Sequence, residues 1–167
     1  MPDPSNASKI FDTKSADETI TRGREIGVSL KAPLLLLLSG ELGAGKTTLT
    51  KGIASGFGAA AEEEITSPTF TLIHRYNGAK VPVYHIDLYR IDGARDLDTL
   101  GLEDVFAENA IVIVEWPDRL KMHHDWTVLR VHLEHVADDS RRILIDAPFE
   151  LATDPNPLKR TRTTTDF

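Results

Sequence analysis

The chain has 167 residues, 41% hydrophobic and 27% charged, enough for one domain with a sizeable core and too few for two of ordinary size. Its net charge of −7 argues against a surface that holds nucleic acid by counterion release, which needs clustered Lys and Arg. There is no cysteine, so disulfides, thiolate metal sites and cysteine nucleophiles are excluded.

Residues 1 to 9 are polar, contain two prolines and lack the apolar run of a secretory signal, so residues 1–7 read as a flexible end. No apolar stretch approaches the length of a membrane span, and the expected location is the cytoplasm. A short strand is expected around Ile10 and Phe11. Ser15-Ala16-Asp17-Glu18 is a capping box, in which Ser15 and Glu18 satisfy each other's backbone amides and start a helix running to about Leu30. Ile20, Gly23, Gly27 and Leu30 share one face of that helix, and its glycines predict close approach to a sheet. Pro33 ends the connection, and Leu34–Leu38 reads as a fully buried parallel strand.

The residues that follow, Gly40-Glu41-Leu42-Gly43-Ala44-Gly45-Lys46-Thr47, fit the pattern G-x-x-x-x-G-K-[ST], and Thr47–Phe57 reads as a helix. Strand, glycine loop and helix together bring loop N–H groups and a helix N-terminus to bear on one anion. This predicts a nucleotide phosphate site built by Glu41, Leu42, Gly43, Ala44, Gly45, Lys46, Thr47 and Thr48. Lys46 would reach the β and γ phosphates, and the Thr47 hydroxyl would ligate Mg²⁺.

Gly56 and Gly58 read as stop signals, and Ala59–Glu64 as a small acidic linker. The next segment, Ile65-Thr66-Ser67-Pro68-Thr69-Phe70-Thr71-Leu72-Ile73, concentrates hydroxyls beside a proline. Two readings fit it equally: a strand entered through a Ser-Pro turn, or a switch-like loop whose hydroxyls sit near the γ-phosphate. Asn77-Gly78 signals a hairpin turn into a strand over Lys80–Tyr89. Period two puts Val83, His85 and Asp87 on one face of that strand, where a histidine and an aspartate are costly unless paired or used. Ala94–Leu100 and Glu103–Ala107 read as helices interrupted by Gly101. Ala110–Val114 is a buried strand with Glu115 at its carboxyl end, where open α/β sheets bind ligands and P-loop proteins supply a Walker B carboxylate to the metal. The alternative for Glu115 is a solvated strand end. Trp126–His135 and Arg141–Ala147 flank Asp138-Asp139-Ser140 as a closing hairpin. Arg141 there either contacts the nucleotide or belongs to a solvated edge. Residues 150–167 have little to bury and read as a second flexible end.

Taken together, Gly40–Thr48, Ser67-Pro68-Thr69-Phe70-Thr71-Leu72, His85-Ile86-Asp87-Leu88-Tyr89-Arg90 and Val114-Glu115-Trp116-Pro117 resemble, in order and spacing, the TsaE (YjeE-type) family. Its members are small P-loop ATPases of the threonylcarbamoyladenosine tRNA-modification pathway. The resemblance covers roughly residues 8 to 147. It implies an α/β, three-layer P-loop NTPase fold with a mostly parallel central sheet and antiparallel additions, in a single domain over 8–149. It also implies Mg²⁺ and ATP at the loop, with Thr47 and Glu115 at the metal. On this resemblance Lys46, Asp87 and Glu115 are the catalytic set, Asp87 as a catalytic or metal-shell group, and Trp116 lies beside the metal acid. The implied partners are a threonylcarbamoyl transferase and its paralogous partner protein, with tRNA position 37 reached only through that complex. A small-molecule kinase is the rival enzyme class, but no arginine-rich lid segment is present. A GTP switch would carry an N-K-x-D tetrapeptide, which is absent.

Overall fold

The computed structural model describes residues 6–121 and 125–148; the expected flexible tail from residue 150 lies outside them. Seven strands form one sheet in the order β1-β7-β6-β2-β5-β4-β3. In chain order they are β1 (Asn6–Thr13), β2 (Leu34–Gly40), β3 (Ile73–Tyr76), β4 (Val83–Asp87), β5 (Ile111–Glu115), β6 (Thr127–Ala137) and β7 (Ser140–Pro148). The central four, β6-β2-β5-β4, run parallel, and β3, β7 and β1 are added antiparallel. The strand expected at Ile10 and Phe11 is therefore longer, taking in residues 6 and 7, because β7 offers it a complete edge from Thr13↔Arg141 to Asn6↔Pro148.

Strand β2 is apolar on both faces because both are covered. Leu34, Leu36 and Leu38 enter a core shared with helices α1 (Ala16–Ser29) and α2 (Lys46–Phe57). Leu35 enters the opposite core, with α3 (Ala94–Asp98) and α4 (Leu102–Ala107) contributing Leu97, Leu102 and Val105. The same alternation in β5 sends Ile111 and Ile113 to the α1/α2 side and Val112 and Val114 to the other. Three layers follow from this period-two partition.

Several local expectations change in the folded chain. The Ser15 hydroxyl accepts from the Glu18 N–H at 3.1 Å, but the Glu18 carboxylate takes the Lys14 N–H at 2.7 Å rather than that of Ser15. The α1 glycines approach a helix, not the sheet. A Cβ on Gly23 would lie 2.5 Å from the Leu49 carbonyl oxygen, and one on Gly27 2.1 Å from that of Ile53, both on α2. Gly56 does not stop α2. It lies inside the helix against the Arg24 backbone of α1, and the chain leaves the helix at Gly58 in the left-handed conformation (φ 89°). The connection at Asn77-Gly78 is longer than a tight hairpin, since Gly78 N–H is held by the Ala59 carbonyl at 2.8 Å and β4 begins only at Val83. Between Ile65 and Leu72 the chain is a loop rather than a strand. The Leu72 N–H turns back to the Pro68 carbonyl at 2.6 Å, so β3 starts at Ile73.

Candidate active site

The carboxyl ends of β2, β4 and β5 converge on a cleft of about 360 Å³. Its floor is the glycine loop between β2 and α2. Gly40 leaves the strand at φ 144°, where a Cβ would meet the Leu133 carbonyl oxygen at 2.5 Å, and Gly45 caps α2 at φ 101°. A side chain at either position would be strained, so the loop's course requires both glycines. Of the residues assigned to this loop, Leu42, Gly43, Gly45, Lys46, Thr47 and Thr48 line the cleft. Glu41 and Ala44 do not. Ala44 is buried beneath the loop, and Glu41 contributes its carbonyl to the lysine.

Lys46 is only 5% exposed. Its ammonium donates to the Gly40 and Glu41 carbonyls, each at 2.8 Å, and stands 4.4 Å from the centre of the Trp116 ring. Burial pushes its pKa down, and the carboxylates of Glu115 and Asp87 push partly back. This cation is largely withdrawn from solvent yet lines the cleft, where an anion would meet it at low effective dielectric.

The carboxylates stand where β4 and β5 end. In the parallel register Asp87 faces Glu115, and period two directs both to the α2 side, so each is buried (3% exposed) yet lines the cleft. Glu115 Oε1 accepts from the Thr47 hydroxyl at 3.2 Å and from His85 Nε2 at 2.7 Å. Asp87 Oδ2 accepts from the Thr69 hydroxyl at 2.9 Å, and Oδ1 from the Tyr89 N–H at 2.9 Å. The expected cost of burial is thus met on both oxygens of Asp87 and, for His85, on Nε2. Thr69 hydrogen-bonds in turn with Ser67 at 2.7 Å, and both line the cleft, which is the loop alternative for the serine-proline segment. After Glu115, Trp116 adopts φ 60° and turns the chain out of β5, its ring 5.0 Å from that of Tyr89.

The remaining wall comes from distant parts of the chain. Arg141, at the start of β7, lines the cleft with Asp139, its guanidinium donating to the Asp138 and Ser140 carbonyls at 3.0 and 3.1 Å. Ala16 and Thr19 at the amino end of α1 complete the wall, and sequence reading had no signal for them. Thr19 is placed by a buried hydroxyl pair with Thr13 at 2.8 Å, a contact between the ends of β1 and α1 that no motif encodes.

A family model described as "Threonylcarbamoyl adenosine biosynthesis protein TsaE" matches residues 13–143, an interval that holds the glycine loop and both carboxylates. The chain belongs to the TsaE family. TsaE relatives include proteins called "tRNA threonylcarbamoyladenosine biosynthesis protein TsaE". The one from Bacillus subtilis is 35% identical over 135 residues, covering 81% of this chain and 83% of its own. That from a Nostoc species is 38% identical over 147 residues, covering 85% and 86%. Among solved structures, Bacillus subtilis YdiB superposes with a TM-score of 0.63 at 31% identity, covering 86% of this chain and 87% of that one. The α/β architecture expected from the TsaE resemblance is therefore the one observed. Among the described residues no helix is long and apolar enough to cross a membrane.

Proposed function

We propose that this chain binds ATP with Mg²⁺ in the cleft and hydrolyses it. The turnover would serve, in the cytoplasm, the threonylcarbamoyl transferase and paralogous partner that form N6-threonylcarbamoyladenosine at tRNA position 37. The observation that carries the reading is the joint placement of a desolvated Lys46, a Thr47 hydroxyl on Glu115, and a doubly held Asp87 around one cleft. The pathway rests on membership of a family whose relatives are named for it.

The donor set fits Mg²⁺. Among the described residues no three His, Asp or Glu side chains could cage an ion. One hydroxyl and one carboxylate suffice for a cation that keeps several waters and takes its other ligands from phosphate oxygens. Thr47 and Glu115 would hold it, and when bound it neutralises charge on the β and γ phosphates. Lys46 would exchange its carbonyl partners for phosphate oxygens, while the loop N–H groups hold the phosphate chain. Asp87, fixed by Thr69 and Tyr89, would orient the attacking water. The water oxygen would bond to the γ-phosphorus as the bond to the β–γ bridging oxygen breaks, ADP leaving with that electron pair and the water's two protons staying on the phosphate product. A site of this kind works by positioning and charge, so partner contacts that complete it would accelerate a slow intrinsic reaction.

Calorimetry with ATP, ADP and GTP, each with and without Mg²⁺, followed by phosphate release with and without the transferase pair, tests this reading. Mg²⁺-dependent ATP binding and partner-stimulated release are expected. Transfer of the γ-phosphate to a small-molecule acceptor, with no stimulation by the pair, would favour a kinase instead.

A further inference from the structure

One ionisable side chain beneath the cleft has no part in the steps above. His85, in the middle of β4, is 0% exposed, and a buried imidazole costs free energy unless its nitrogens are used. Nε2 lies 2.7 Å from Glu115 Oε1. Nδ1 has no hydrogen-bond partner among the described residues. This asymmetry assigns the tautomer by hydrogen-bond accounting: a proton on Nδ1 would be an orphaned buried donor, whereas Nε2–H facing a carboxylate makes a charge-assisted bond. The register explains the reach. Asp87 faces Glu115 and His85 faces Ile113, so the imidazole meets its carboxylate diagonally across neighbouring strands.

Both donors to Glu115 meet the same oxygen. The Thr47 hydroxyl is the longer contact, at 3.2 Å, and it can keep its proton on Oε1 while an oxygen lone pair is offered to the metal. His85 is the shorter and fully buried donor on Oε1, Glu115 lines the cleft, and neither of these donors takes Oε2. We propose that His85 is a positioning residue for Glu115, its Nε2–H holding Oε1 so that Oε2 is presented to the Mg²⁺ of the bound nucleotide. The inference rests on the Mg²⁺-nucleotide reading of the cleft and adds to it the group that orients the metal acid, a metal–carboxylate–histidine order in which the imidazole acts from behind the ligand.

The test is the Mg²⁺ dependence of ADP affinity, measured by calorimetry on wild type, His85→Leu, His85→Asn and His85→Gln, with ATP turnover alongside and melting curves to show each variant folded. Leucine fills the space without a donor, asparagine is too short to reach Glu115, and glutamine can place an amide N–H near the Nε2 position. The Leu and Asn variants should need about ten- to a hundredfold more Mg²⁺ for half of the metal-dependent gain in affinity. Their ADP affinity in EDTA should equal that of wild type, and kcat should fall with little change in KM for ATP. His85→Gln should recover most of both losses. In a Glu115→Gln background, His85→Asn should shift the Mg²⁺ midpoint no further. If His85→Leu does not fold, the Asn and Gln pair carries the comparison. Wild-type Mg²⁺ midpoints in the Leu and Asn variants, or a Gln variant as impaired as Asn, would overturn the role of His85 and leave the Mg²⁺ reading standing. A wild-type protein whose nucleotide affinity ignores Mg²⁺ would overturn both.

Discussion

At the scale of single residues, the cleft concentrates one cation and two carboxylates with different partners, and each makes a separable prediction. Lys46→Ala removes the ammonium that donates to the Gly40 and Glu41 carbonyls, and with it the charge proposed to meet the phosphates. Its ATP turnover should fall by about 10²-fold or more, read as phosphate release with the transferase pair present. Asp87→Asn keeps the shape but weakens the group held by Thr69 and Tyr89, and should lower kcat by about a hundredfold while nucleotide affinity changes far less. Equal losses in binding and turnover would contradict its assignment to the water. Trp116 provides an optical check. Its ring lies 4.4 Å from the Lys46 ammonium, so drawing the lysine toward phosphates changes the charge over the indole. Mg²⁺-ATP should therefore alter tryptophan emission in a Trp126→Phe background, where the second indole, packed on Phe106, has been removed. A flat titration in that background would mean that Lys46 does not leave the ring.

At the scale of elements, the contact between α1 and α2 governs whether the loop sits where the sheet needs it. Gly23 and Gly27 of α1 meet α2 backbone, while Gly52 and Gly56 of α2 meet that of α1, so the two helices touch main chain to main chain. A Cβ on Gly52 would lie 2.1 Å from the Ile20 carbonyl oxygen. Backbone cannot step aside as a side-chain tip can, so Gly52→Ala must push the helices apart, at a cost of about 1–3 kcal/mol. Urea unfolding should show it as a lowered midpoint at unchanged slope. The control is Gly93, whose Cβ position is open and whose backbone is extended (φ −178°); Gly93→Ala should stay within about 0.5 kcal/mol of wild type. Because α2 begins at Lys46 and α1 supplies Ala16 and Thr19 to the cleft, Gly52→Ala should also weaken nucleotide binding.

At the scale of the molecule, an acidic chain of net charge −7 has little with which to hold RNA by itself. The proposed nucleotide cycle is better suited to changing the state of a protein partner. A ligand shifts such an equilibrium only through differential affinity, so the transferase pair should bind the ATP and ADP forms with different strength. Pull-down or calorimetry with each nucleotide measures this directly. Indistinguishable affinities, or modification of many tRNAs per enzyme equally well with the Lys46→Ala variant, would remove the proposed coupling.

What could be read from the amino-acid order alone was whatever contiguous residues encode. Leu34–Leu38, the glycine loop and the helix after it form one local unit, and Ile111–Val114 with Glu115 form another, so the proposed phosphate site and its proposed metal acid are legible from runs and spacing. Alternation in β4 even placed His85 and Asp87 on one face, without saying what they would meet. Their partners lay beyond reach, since Glu115 is 30 residues from His85 and Thr69 is 18 from Asp87; the β4–β5 register brings the first pair together and the course of the loop before β3 the second. The glycines of α1 illustrate the same limit. Their spacing announced a close approach, but whether to sheet or helix depends on which surface the fold puts opposite. The alternation of the serine-proline segment fits both strand and loop. Tertiary contacts decided it, the Leu72–Pro68 turn ending any strand and the Asp87 carboxylate claiming the Thr69 hydroxyl. Local propensity sets what a segment can become, and burial against non-local neighbours selects among the options.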